Sequence, residues 1–470
     1  MAREDKAMSF DSGAFLIFLP IVVLLHQLCP RRGRWAVLLA ASLFFYGSWS
    51  VPLTGLLLAE AGAAWLSGLA LEQRKGPALR RLTLGLALAV CFGLLGYFKY
   101  FNFLAGAASA LLGGRWDAWE IILPVGCSFY TFQAVSYVVD VYRGRLEAER
   151  HPGYFTLYLT FFPQLVAGPI ERAGDLLPQL RMERRLGRED VEAGLRLLLS
   201  GFFRKVVIAD CCGKFVTAAY SAQEPDGSAV LLATLLFAVQ IYSDFAGYSE
   251  IAAGSARLLG VRLMRNFDRP YLARGFRDFW RRWHVSLGRW FTDYVYIPLG
   301  GSRKGLGRQL LAVFIVFALS GLWHGAAWSF VVWGLFHGTL FAGELLARRA
   351  GLDPTRTKIG RGASIALTFA AVSLGWIFFR ADSLGHAARL LGRLFSPWDG
   401  AAGLACLGLT VTDGVRLALT LALLPAVNRL GWGEERPQDM TLVYFFLAVA
   451  AAWLIRLNSG GTGTFIYFQF

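Results

Sequence analysis

Residues 318–338 read ALSGLWHGAAWSFVVWGLFHG, and two imidazoles, His324 and His337, stand in a run that is otherwise apolar, small or aromatic. Runs of about 17–25 mostly apolar residues, long enough to cross a bilayer as helix, recur along the whole chain. They leave no room for a separate soluble domain, and the fold class that follows is an all-α polytopic membrane protein. Placing an ionisable side chain inside such a helix costs about 3 kcal/mol or more. A histidine kept there either hydrogen-bonds a neighbouring helix or does chemistry, and composition leaves both readings open.

Charge points the same way. The 470 residues are 56% hydrophobic and 14% aromatic, with 47 Lys and Arg against 32 Asp and Glu, a net charge of +15. The basic residues collect in short loops between apolar runs. They are therefore read as orientation signals and contacts to anionic headgroups of the lipid bilayer, not as a nucleic-acid surface. Of the six cysteines only Cys211 and Cys212 are adjacent, and none forms a CxxC pair, so neither a disulfide framework nor a zinc site is expected.

The first apolar run, residues 13–29, is followed by CPRRGR rather than a small-residue cleavage site, and reads as a retained helix rather than a signal peptide. Basic loops follow at 31–34, 72–81 and 142–151, while SWSVP and GGRWDAWE between them are poor in positive charge. With the basic loops cytoplasmic, the N-terminus faces outside. Residues 154–170, YFTLYLTFFPQLVAGPI, have basic flanks on both sides and carry Pro163, Gly168 and Pro169, which suits a re-entrant or interfacial segment. Helices around 195–220 and 230–253 are joined by the acidic SAQEPDG. Residues 265–301, RNFDRPYLARGFRDFWRRWHVSLGRWFTDYVYIPLGG, are too charged to span and read as an amphipathic interfacial helix. After the histidine-bearing pair come runs at 364–379, 416–430 and 442–457. About twelve crossings result, and an even count places the C-terminus outside with the N-terminus. The expected division is a membrane domain over residues 1–457 and a flexible linker with an aromatic tail over 458–470. No internal repeat is visible.

Several residues are candidates for chemistry. His324 is flanked by Gly321, Gly325, Ala326 and Ala327, so another helix or a substrate can approach it closely. Burial would keep its imidazole neutral, the form a general base needs. His284 stands beside Trp283, Arg281 and Arg282, and these arginines with Arg289 could bind donor phosphates or lipid. His337 reads as a packing residue. Asp244, with Tyr242 and Glu250 in QIYSDFAGYSE, either marks a pathway or ends a helix, and Asp293 is similar. A zinc site from the three histidines lacks any HExxH or short spacing, so no metal and no bound cofactor are expected. The chain ends in NSGGTGTFIYFQF, a flexible linker leading to an aromatic hexapeptide whose one hydroxyl is Tyr467.

FWRRWHVSL, YIPLGGSRKG and LSGLWHGAAWSFVVWG, with YFKYFNF, LPVGCSFYTFQAVSYVVDVYRG and FFPQLVAGPI upstream, resemble the membrane-bound O-acyltransferase (MBOAT) family. The resemblance covers about residues 10–379 and leans toward the bacterial alginate O-acetyltransferase-like branch. It implies a ring of helices, with re-entrant and amphipathic helices, around a central funnel. It also implies His324 of LWHG as the catalytic residue and His284 of WRRWH as a second active-site residue; Trp323, next to His324, is a further candidate for binding donor or substrate. FIYFQF is similar to an F-x-Y-x-x-F motif whose tyrosine carries the acyl group in several extracytoplasmic acylation systems, with Gln469 where that form has arginine.

The expected function is O-acetylation of an extracytoplasmic polysaccharide from the bacterial inner membrane. The donor is acetyl-CoA or an acyl carrier protein on the cytoplasmic side, entering past Arg281 and Arg282. His324 deprotonates the attacking hydroxyl, that of Tyr467, whose pKa near 10 makes a phenol easier to ionise than an alcohol. The resemblance implies a periplasmic esterase-like (SGNH-type) acetyltransferase as partner. The alternatives are direct acylation of a lipid, a protein or a D-alanyl-type acceptor, and a non-enzymatic polysaccharide or lipid transporter.

Overall fold

Hydrocarbon offers no water to unpaired N–H and C=O groups, so a spanning segment must satisfy its backbone internally, and this chain does so with helix. The computed structural model describes residues 8–74, 76–166, 168–182 and 186–430, and among them there is no strand. Six helices are long and apolar enough to cross a membrane: Val51–Gln73, Pro77–Leu111, Gly227–Leu258, Leu306–His324, Trp328–Arg349 and Lys358–Arg380. Gly400–Cys406 and Val411–Pro425, bent by 83°, pass the same test together, and Gly13–Leu28 is a shorter apolar helix. The protein is thus an all-α multi-pass membrane protein, but about twelve crossings are not reached among the described residues. The run at 442–457, the linker and the tail with Tyr467 lie outside them.

Expected spans are missing from that count because they are interrupted. The run at 195–220 is Arg188–Phe202, a π-helical stretch Phe203–Ala209 and Asp210–Ser221, with Arg204 and Lys205 buried in the π stretch. The run around 121–141 becomes helix only at Cys127, after Gly126 has turned the chain at φ 72°. A Cβ at Gly126 would collide with the carbonyl of Leu165.

The chain divides into two compact units, Met1–Leu198 with Ile251–Met264, and Leu199–Glu250 with Arg265–Phe470. In the first, Cys127–Tyr142 is buried over nearly its whole length, packed by Val51–Gln73 and Pro77–Leu95. Residues 154–170 form two short helices, Pro152–Thr160 and Phe162–Leu165, broken at Phe161. Nine residues rise only about 14 Å, too little to cross a bilayer. The opened backbone is satisfied by side chains: Gln164 donates to the Tyr158 carbonyl at 2.7 Å, and the Phe162 N–H donates to Ser42 Oγ at 3.1 Å.

In the second unit, Leu306–His324 and Trp328–Arg349 form a tight hairpin. Its two helices touch through glycine. A Cβ at Gly321 would collide with the Phe330 carbonyl, and one at Gly334 with the Phe317 carbonyl. The stretch 265–301, expected as amphipathic helix, is broken into Pro270–Leu272, Phe276–Arg282, Val285–Phe291 and a π-helical Thr292–Tyr296. Pro270 and Gly275 interrupt it early, and His284 breaks it again by turning left-handed. Phe279, Trp283, His284, Trp290 and Phe291 are buried within this unit.

Candidate active site

His324 is the last residue of its helix, which Gly325 caps by donating to the Gly321 carbonyl at 3.2 Å. Its ring is 3% exposed and meets Trp323, Trp333 and Phe379 edge-on, with centroids 5.0, 5.1 and 5.4 Å away. It therefore faces an aromatic cage inside the unit, not lipid. His284 enters the same cage, its ring 6.3 Å from that of His324 and 5.7 Å from that of Trp323.

His284 has φ 45° and ψ 55°, a left-handed conformation that costs an L-residue about 1–2 kcal/mol. Asn266 holds the turn in place. Its carbonyl accepts from Val285 N–H at 2.9 Å, and its Oδ1 accepts from Ser286 N–H at 3.2 Å and from Ser286 Oγ at 2.9 Å. The same Oδ1 lies 3.2 Å from His284 Nδ1. A backbone N–H can only donate, so the amide oxygen must face Ser286, and His284 Nδ1 must then carry the proton. The lone pair is left on Nε2. Burial pushes the His284 pKa down to about 3, so the ring is neutral at pH 7.

The other candidates divide. Trp283 is 1% exposed and packs behind the cage, 4.9 Å from Trp376, which itself meets Trp333 and Phe379, 5.0 Å from Phe267 and 5.5 Å from Phe279. Tyr242 packs 6.3 Å from Trp283 and donates its hydroxyl to Asn428 at 3.2 Å. His337 is fully buried, one ring further back, with Trp333 at 5.0 Å and Trp280 at 5.1 Å. Arg282 is engaged structurally, by Asp278 at 2.9 Å and the Asp268 carbonyl at 3.4 Å. Arg281 and Arg289 are exposed, and Asp293 is half-buried on the π-helical stretch. Asp244 does not end a helix, since Gly227–Leu258 runs on well past it. It pairs instead with Lys205 at 3.1 Å, which corrects the helix-end reading.

Sequence reading missed Asn266, Phe267, Trp333 and Phe379. Only the RNFDRPY context pointed to the first two, and nothing local connects them to His284. A cavity lined in part by Tyr242 and Phe267 lies beside Phe267, whose ring is 6.4 Å from that of His284, and His324 is not part of its lining. Among the described residues no group of three or more His, Cys, Asp or Glu side chains is placed to hold a metal ion.

The model of the membrane-bound O-acyltransferase family matches residues 149–379. A probable alginate O-acetylase of Pseudomonas putida is 36% identical over 98% of this chain and 100% of its own length. A peptidoglycan O-acetyltransferase of Helicobacter pylori is 33% identical over 81% of this chain and 79% of its own. A teichoic acid D-alanyltransferase of Streptococcus thermophilus is 30% identical over 54% of this chain and 68% of its own. The chain belongs to the membrane-bound O-acyltransferase family, in the branch that the motifs implied, and is an O-acyltransferase.

Proposed function

We propose that this O-acyltransferase takes an acetyl group from a cytoplasmic thioester, acetyl-CoA or an acetylated carrier protein, and delivers it for O-acetylation of an extracytoplasmic polysaccharide. The names of the relatives supply the acetyl group and the polymer class. The setting is the inner membrane of a bacterium. The carrying observation is the pair of imidazoles 6.3 Å apart in one aromatic cage.

In the proposed reaction His324 removes the proton as a hydroxyl oxygen adds to the thioester carbonyl. The tetrahedral intermediate then expels the thiolate, which takes the proton back from the imidazolium. The imidazolium forms at the carboxyl end of a helix, where the negative end of the dipole favours it. His284, with Nδ1–H committed to Asn266, offers Nε2 as an acceptor that orients the incoming hydroxyl or the leaving sulfur. Trp283 and Trp323 exclude water from the cage. The first acceptor in this scheme is the Tyr467 hydroxyl. The resulting acyl-tyrosine is an ester that a periplasmic SGNH-type transferase would carry on to the polymer.

Purified protein incubated with radiolabelled acetyl-CoA tests this. Label should appear on the chain and vanish in His324→Ala and in Tyr467→Phe, with both variants folded. Transfer that survives Tyr467→Phe would overturn the relay and indicate direct acylation of the acceptor. Transfer that survives His324→Ala would overturn the mechanism.

A further inference from the structure

The reaction proposed for His324 creates a positive charge in a place with little water. The ring is 3% exposed, and once it has taken a proton it is an imidazolium enclosed within the second unit. Two ring neighbours come from other helices: Trp333, 5.1 Å away with the planes 89° apart, and Phe379, 5.4 Å away with the planes 67° apart. Trp323, the residue before it, stands at 5.0 Å and 83°. An aromatic ring is negative on its face and positive at its rim. A cation within about 6 Å of such a face is attracted to it, the more strongly where it has lost its water. Rings inclined this steeply meet rim to face. When the imidazole supplies the rim, its nitrogens, and with them the charge, point at the face of the neighbour.

Both rings are held in place by others. Phe379 is 1% exposed and braced by Phe330 at 5.0 Å and Trp376 at 5.5 Å. Trp333 is fully buried and lies against Trp376 at 5.8 Å with the planes 22° apart. Phe330 is seated in turn over Gly325, where a Cβ would collide with its ring. A ring fixed before the reaction needs no reorientation when the charge appears, which is what makes preorganised electrostatics effective. The chemistry also favours a ring over a carboxylate here. A carboxylate beside His324 would favour the protonated imidazole before any substrate arrived, and so remove the base. The weaker attraction of an aromatic face leaves the resting ring free to act.

We infer that Trp333 and Phe379 turn their faces to His324 and stabilise the imidazolium that forms there, acting through His324 rather than on the substrate. The aromatic wall then does more than exclude water. It lowers the barrier to taking the proton from the attacking hydroxyl, and releases that stabilisation when the proton passes to the departing thiolate. Because the charge exists only after proton transfer, the contribution falls on kcat and not on donor binding. This inference rests on the proposed function, in which His324 is the base.

The test weakens the face while keeping the wall. Full-length protein with mono-, di- or trifluorinated phenylalanine in place of Phe379 is compared in its single-turnover release of free coenzyme A at saturating acetyl-CoA. Fluorine draws electron density from the face and changes the ring's size little. The rate should fall with each added fluorine, by about tenfold in all, while the half-saturating acetyl-CoA concentration and the melting temperature stay unchanged. Trp333→Phe, which keeps a weaker face, should lose less than Trp333→Leu, which has none. The same fluorine series at Phe341, whose ring meets that of Phe317 at 5.7 Å, should leave the rate as it is. A rate indifferent to fluorine at Phe379, or raised by it, overturns the inference. So does a loss that Phe341 reproduces or that follows the melting temperature, and the two rings are then left with packing alone. If His324→Ala stops coenzyme A release while the fluorine series is flat, only this inference falls. If His324→Ala releases it as fast as the unsubstituted protein, the proposed mechanism falls and takes this inference with it.

Discussion

The π-helical stretch Phe203–Ala209 and the histidine cage are both polar and both buried, and they meet that cost in opposite ways. In the first, every charge stands against an opposite one. Arg204 meets Glu250 at 2.9 Å, with Ser200 also donating to that carboxylate at 2.6 Å, and Lys205 meets Asp210 at 2.8 Å and Asp244 at 3.1 Å. In the second, imidazoles are enclosed by Trp323, Trp333 and Phe379, and His284 is kept uncharged by burial. The lesson is that a buried charge is held by its partner, whereas a neutral ring in an apolar cage keeps a nitrogen lone pair that a substrate can use.

The largest expected effect breaks the first region. Arg204→Ala leaves Glu250 buried without its cation and should destabilise the fold by about 3–5 kcal/mol. Thermal unfolding of the detergent-solubilised protein would show it, and a melting temperature equal to that of the unsubstituted chain would refute the pairing argument.

Asn266→Ala breaks the second region more gently. It strips an acceptor from His284 Nδ1 and from both donors of Ser286, and should cost about 1–3 kcal/mol of stability. It should also lower kcat, because the tautomer is no longer held. Asn266→Asp keeps an acceptor and should recover more kcat than Asn266→Ala; no difference between the two would discount the tautomer argument.

The smallest effect sharpens the contrast by pH. The folded His284 pKa of about 3 lies below the ordinary value near 6.5, so below pH 6.5 the unfolded chain binds a proton that the native chain refuses. This contribution to stability is complete above pH 6.5 and is lost as pH falls toward 3, by at most ~1.4 kcal/mol per unit. Comparing melting curves at pH 7.5 and 5.5 for the unsubstituted protein and His284→Gln isolates it. Identical pH slopes would mean the ring is protonated in the native state.

How much of this was legible depended on how far apart in the chain the interacting groups lie. His324 and the glycines around it could be read together, since small residues beside a histidine in one apolar run imply close approach. Asp244 could not be interpreted alone, because its partner Lys205 comes from another helix thirty-nine positions earlier. Arg281 and Arg282 are candidate donor anchors because they are basic and adjacent to His284, but what each of them touches could not be read from that stretch. The fold ties Arg282 to Asp278 and leaves Arg281 at the surface.

The sequence by itself determined that the chain is helical, crosses a membrane repeatedly and carries the family's two histidine motifs, because apolar length and motif order are local properties. Only the tertiary structure decided that those histidines share one cage and that Asn266 sets a tautomer. Each of these depends on distances between segments brought together by packing, and packing responds to shape and partners that no single stretch contains.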